Sequence, residues 1–152
     1  MRAPLLLAAL ALLPLGAALA AGEAAARPTT SSFRAVDVWV DSGTERLAAY
    51  QVEVTYDAAR VRIVGVEGGE PAGFRDAPWF DEAGKTGGRI VLAAFVPQDS
   101  QAVNGARRVA RLHLQVEGDA APALTVKLVA AAKPGGERIK AGAVPRLAEG
   151  SK

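Results

Sequence analysis

The chain has 152 residues, a formal charge of +2 with both signs interspersed, and no cysteine. Less an exported leader, that length holds one domain with a real core and is too short for two. The missing cysteines exclude disulfides, zinc–thiolate and iron–sulfur sites, and the missing basic stripe argues against nucleic acid as a partner.

At the N-terminus Arg2 is followed by an almost unbroken apolar run from Leu5 to Leu15 and by Ala18-Leu19-Ala20, a small-x-small cleavage site. This is the pattern of a secretory signal peptide over residues 1–20, cut before Ala21; the run is short of the roughly 20 apolar residues of a membrane span. Export to the periplasm or beyond the cell is expected, with no membrane span after cleavage. Residues 21–32 are small, polar and proline-containing, and read as a flexible lead-in.

From Phe33 the apolar residues fall on alternate positions. Val36, Val38 and Val40 face one way and Asp37, Trp39 and Asp41 the other, as in a half-buried strand. After Ser42-Gly43-Thr44 the alternation resumes, with Ala48, Tyr50, Val52, Val54 and Tyr56 opposite Ala49, Gln51, Glu53 and Thr55. A one-residue slip would bury Gln51 and Glu53 without partners, so the facing is well specified. A turn at Tyr56-Asp57-Ala58-Ala59 leads to a third strand, Val61 to Glu67. Residues 70–88 are rich in glycine and proline yet carry Phe74, Trp79 and Phe80; they read as a long ordered loop with one short strand near Phe74. Arg89 to Val96, the strictly alternating Ala110 to Glu117, Leu124 to Leu128, and a short run within Arg138 to Val144 complete the strands, and residues 145–152 read as a disordered tail. No window beyond the leader has helical periodicity. Six or seven short strands over residues 33–144, each with one apolar face, predict an all-β, two-sheet antiparallel β-sandwich.

The stretch Val36-Asp37-Val38-Trp39-Val40-Asp41-Ser42-Gly43, followed by Leu47 to Asp57 (LAAYQVEVTYD), resembles the opening of bacterial cohesin domains. Val61 to Gly69, Arg89 to Phe95 and Gly105 to Val116 are similar to the strands that follow, so the likeness runs from about Phe33 to Val129, with Gly43 and Tyr56-Asp57 as its sharpest points. The resemblance implies jelly-roll topology, an architecture shared with carbohydrate-binding modules. It also implies the family's activity, the docking of a small calcium-loaded dockerin helix pair on one sheet face.

No complete catalytic set is present. His113 is the sole histidine, on the polar face of a strand without a Ser or Cys motif beside it, and no nucleophile elbow, His-Glu-x-x-His or phosphate loop occurs. Asp41, Asp57, Asp99 and Asp119 lie at strand ends, where turn-making explains them as well as calcium does, and no metal or cofactor is expected. Trp39 shares a polar face with Asp37, Arg111 and His113. It is either an anchor for a protein partner or half covered by neighbours such as Arg34 or Arg111. Trp79 and Phe80, flanked by Asp76 and Asp81, offer a stacking platform for a polysaccharide, or else tuck under the loop to close one end of the sandwich. The expected function is therefore an exported, non-catalytic module docking a protein partner in the cell envelope, with polysaccharide recognition as the alternative.

Overall fold

A computed structural model describes residues 30–149. The expected leader, most of the lead-in and residues 150–152 lie outside the described residues. Among the described residues eight strands form in chain order: β1 (Ser31–Asp41), β2 (Ala49–Tyr56), β3 (Val61–Gly68), β4 (Trp79–Phe80), β5 (Arg89–Phe95), β6 (Ala106–Glu117), β7 (Leu124–Ala132) and β8 (Gly142–Leu147). They make two four-stranded sheets, β3-β6-β1-β8 and β4-β5-β2-β7, in which all pairings are antiparallel. The chain changes sheet at every connection except β4 to β5. This is the two-sheet jelly-roll sandwich that the alternation and the resemblance predict.

The core lies between the sheets and uses the predicted faces. Val36, Val38 and Val40 of β1 and Leu112, Leu114 and Val116 of β6 meet Tyr50, Val52 and Val54 of β2 and Ile90 and Leu92 of β5, all buried. Each such side chain contributes roughly 1.5–3 kcal/mol on leaving water. Three register shifts interrupt the pairing of the described strands, at Val38/Trp39, Gln51/Val52 and Ile63/Gly65; in the first, Val38 pairs with Ala110 but Trp39 with Arg108, so Val109 and Ala110 are both buried. The displaced Val109 carbonyl then accepts a hydrogen bond from the Tyr50 hydroxyl at 3.1 Å, joining the two sheets across the core.

Burial pushes the Tyr50 phenol well above the usual tyrosine range. A raised folded-state value leaves stability unaffected below the unfolded value, near pH 10, and erodes it as pH climbs toward the folded one. Denaturant titrations from about pH 9 to about pH 12 are expected to show that decline. Tyr50→Phe is expected to lessen it, part remaining because burial also raises Tyr56, and to cost about 1 kcal/mol at neutral pH.

Several boundaries differ from the sequence reading. β1 begins at Ser31, where Ser31 pairs with Glu117, so the lead-in ends earlier than residue 32. The last strand runs through Leu147, and Ala148 is buried with its amide donating to the Ala35 carbonyl, so residues 145–148 are no tail. Pro145 is tolerated because β8 is an edge strand. The short strand of the long loop is Trp79–Phe80, and Phe74 instead ends a 3₁₀ turn, Ala72–Phe74, that drops its ring into the core edge-on to Tyr50.

Candidate functional site

Two outer faces carry the residues singled out above. On the first sheet the strand register places Asp37, Arg111, Trp39 and His113 together. Asp37 is flanked by Arg111 of β6 and Arg146 of β8, while His113 lies opposite Ala35. The charged groups among them are paired within the chain. The Arg111 guanidinium grips the Asp37 carboxylate through two hydrogen bonds, at 2.6 and 3.0 Å, which pushes the arginine further up from its ordinary value. His113 Nε2 lies 3.1 Å from Glu67, and Arg108 bonds to Glu70. Trp39 is half-buried beneath Arg146, whose guanidinium sits 4.5 Å from the ring centroid. The cover is therefore Arg146 rather than Arg34 or Arg111. Arg111 is held by Asp37, and Arg34 falls in the inward register of Val36 and Val38.

The Asp37 side chain is only 10% exposed, whereas Arg111 is 31% exposed and its field partly screened. Arg111→Met leaves that carboxylate without its partner and is expected to cost about 1–3 kcal/mol in urea unfolding. An added Asp37→Leu should recover much of the loss.

The second sheet differs between its two ends. At the end near Tyr56 its outer side chains are, apart from Val91, charged or polar: Arg89, Glu53, Thr55, Lys127 and Thr125. The Arg89 guanidinium bonded to Glu53 holds that carboxyl below the usual carboxylate range, with Lys127 adding to the effect. At the other end, one row across the strands reads Trp79, Ala93, Gln51 and Ala130, and the next reads Phe95, Ala49 and Ala132. Outward alanines keep this part of the sheet low. The 75–78 loop and the 133–138 turn rise on either side, leaving an open trough of about 660 Å³. Trp79 is 65% and Phe95 75% exposed at its wall. Gln51 is the polar side chain of the floor, while exposed Asp76 and Arg138 stand on the rims.

Of the four loop residues named as a stacking platform, Trp79 and Asp76 border this trough and the other two do not. Phe80 faces Leu92 and packs half-buried against the core, with the Lys85 ammonium 5.9 Å from its ring centre. The Asp81 carboxylate accepts the Val91 amide, a structural bond that seats the loop on β5. Trp79 does not tuck beneath the loop, because Phe74 and Phe80 already fill the space there. Asp41 and Asp57 use a carboxylate oxygen each on turn amides, those of Gly43 and Ala59. Among the described residues no cluster of three acidic or histidine side chains could hold a metal ion, and no helix is long and apolar enough to cross a membrane.

Sequence reasoning passed over Phe95 and the alanines. The signal was present: Ala49, Ala93, Ala130 and Ala132 occupy outward positions near the ends of three strands, where polar residues are the rule for a solvated face.

No protein-family model and no curated protein sequence matches the chain. Solved structures do. CaCohA2 in complex with CaDoc0917 superposes with a TM-score of 0.58 at 18% identity, covering 71% of this chain and 82% of that one. CaCohA2 from Clostridium acetobutylicum in solution gives 0.56 at 17% identity, over 70% and 74% of the two chains. A type I cohesin–dockerin complex from Clostridium thermocellum, containing OlpA cohesin, gives 0.56 at 13% identity, over 76% and 84%. At such identities the likeness is one of fold. With the strand order, the Gly43 turn at φ +59° and the Tyr56-Asp57 corner in place, the chain folds as a cohesin-like β-sandwich.

Proposed function

We propose that this chain is an exported, non-catalytic module of the cell envelope that docks a protein partner on the trough face of β4-β5-β2-β7. The observation that carries the reading is the pair of exposed aromatics, Trp79 and Phe95, standing over a floor of alanines. Large apolar groups kept in water at the wall of an apolar concavity are the usual anchors of an interface. The first sheet's outer face also exposes Phe33, but Asp37, Arg111 and His113 there are already paired and its tryptophan already covered. Non-catalytic docking also agrees with the absence of any catalytic constellation in the sequence, and the cohesin–dockerin complexes among the structural neighbours add support for a protein ligand. Export rests on the signal-peptide pattern of residues 1–20.

One observation favours the polysaccharide alternative: the Trp79 ring is free to stack on a sugar and Asp76 lies on the same rim. A photo-crosslinking residue placed at Phe95 and exposed to the envelope fraction of the source organism separates the two. The expected result is one crosslinked protein, competed away by excess unmodified chain but not by the Trp79→Ala chain, with no such product from position 33 on the other sheet. Trp79-dependent retention on polysaccharide columns without a crosslinked protein would establish the glycan reading instead.

A further inference from the structure

The trough is bracketed by opposite charges. Asp76 stands on the β4 side, in the loop that leads into Trp79; Arg138 stands beyond β7, where its backbone forms a bridge to Ala132. Both side chains are exposed, and neither has a hydrogen bond or ion pair within the chain among the described residues. Several nearby carboxylates behave otherwise, Glu53 being taken by Arg89, Glu82 by Lys85 and Glu137 by Lys133; Arg75, exposed beside Asp76, does not line the trough. The two rim charges are thus left with fields that point into the same concavity from opposite sides. Between them lie the four strands of the sheet, spaced about 4.8 Å apart, so the charges are separated by roughly 20 Å.

Resting on the docking reading above, we propose that the trough selects a protein segment whose apolar side chains are bracketed by a basic group at one end and an acidic group at the other. The segment crosses the strands in one direction, its basic end over Asp76 and its acidic end over Arg138. Apolar burial over the alanines and against Trp79 supplies affinity, and it is indifferent to which way the segment runs. The rim charges remove that degeneracy, because the reversed segment sets like charge against like at both ends. Binding then depends on ionic strength, since both rims stay partly solvated. A neutral glycan has no such order of charge and would be bound equally well whatever the signs at the rims.

A displayed library of random peptides long enough to span the trough, panned separately on the immobilised wild-type chain and on the Asp76→Arg/Arg138→Asp chain, tests this. Binders are first sorted by loss of signal on Trp79→Ala, and circular dichroism checks that each variant is folded. The wild type is expected to enrich sequences with a fixed order of basic and acidic ends, binding roughly three- to tenfold more weakly to the doubly reversed chain, while that chain enriches the opposite order. Trp79-dependent binders with no charge order, or with affinity unchanged by the reversal, overturn the selection of direction and leave the docking reading standing. A library with no Trp79-dependent binder at all overturns both.

Discussion

Trp79→Ala is expected to weaken binding of the crosslinked partner at least about thirtyfold while the melting temperature stays within about 2 °C of the wild type. The substitution removes a ring that is mostly in water in the free chain, so little core packing is lost. Its backbone pairing with Ala93 does not depend on the side chain and holds β4 in place. In a complex the same ring is covered, and its loss removes a large apolar area at the wall of the trough together with the contacts it makes there. Phe95→Ala should act in the same direction, whereas Trp39→Ala on the opposite sheet should leave affinity unchanged. Isothermal calorimetry with the purified partner reads all three. Unchanged affinity after Trp79→Ala would remove the trough from consideration as the docking surface.

Phe74→Ala carries the largest expected cost to the fold, about 3–5 kcal/mol. Its ring is 1% exposed and meets Tyr50 edge-on, with ring centroids 5.4 Å apart, although it comes from a loop rather than a strand. Within a total stability of about 5–15 kcal/mol, that loss should lower the melting temperature by about 10 °C or more. The site suffers with it, because Phe74 pins the loop that carries Asp76 and leads into Trp79. The loop's course is otherwise constrained by backbone contact: a Cβ at Gly68 would lie 2.0 Å from the Arg75 carbonyl oxygen. Phe74→Leu keeps most of the buried volume and should lose markedly less in a thermal melt. A drop below about 3 °C for the alanine variant would mean that the ring is not part of the core.

Strand faces were legible wherever one side of the strand meets the core, because a period of two has no second interpretation there. Val36, Val38 and Val40, Tyr50, Val52, Val54 and Tyr56, and Leu112, Leu114 and Val116 fall inward as the alternation requires. Irregular features were not legible in that way. The bulge at Val109 and Ala110 is set by cross-strand geometry, and the strand at Trp79–Phe80 is only two residues long. Phe74, which reads as a strand residue by its surroundings, is buried by a 3₁₀ turn instead. Pro145 reads as the start of a tail because proline cannot serve a central strand, yet it sits comfortably at an edge. On the first sheet, Trp39 was visibly out of place on a polar face, but its cover, Arg146, comes from the strand whose extent was underestimated. The trough was hidden for a different reason. Its defining feature is the smallness of Ala49, Ala93, Ala130 and Ala132, and small side chains mark a concavity only once the neighbouring strands are known.

Amide hydrogen exchange of the chain, free and saturated with its crosslinked partner, tests the placement of the interface most directly. Protection is predicted around Trp79, Ala93, Gln51 and Ala130 and in the 133–138 turn, with the strands bearing Asp37, Arg111 and His113 unchanged. Protection confined to those strands, with the trough exchanging as fast as before, would contradict it.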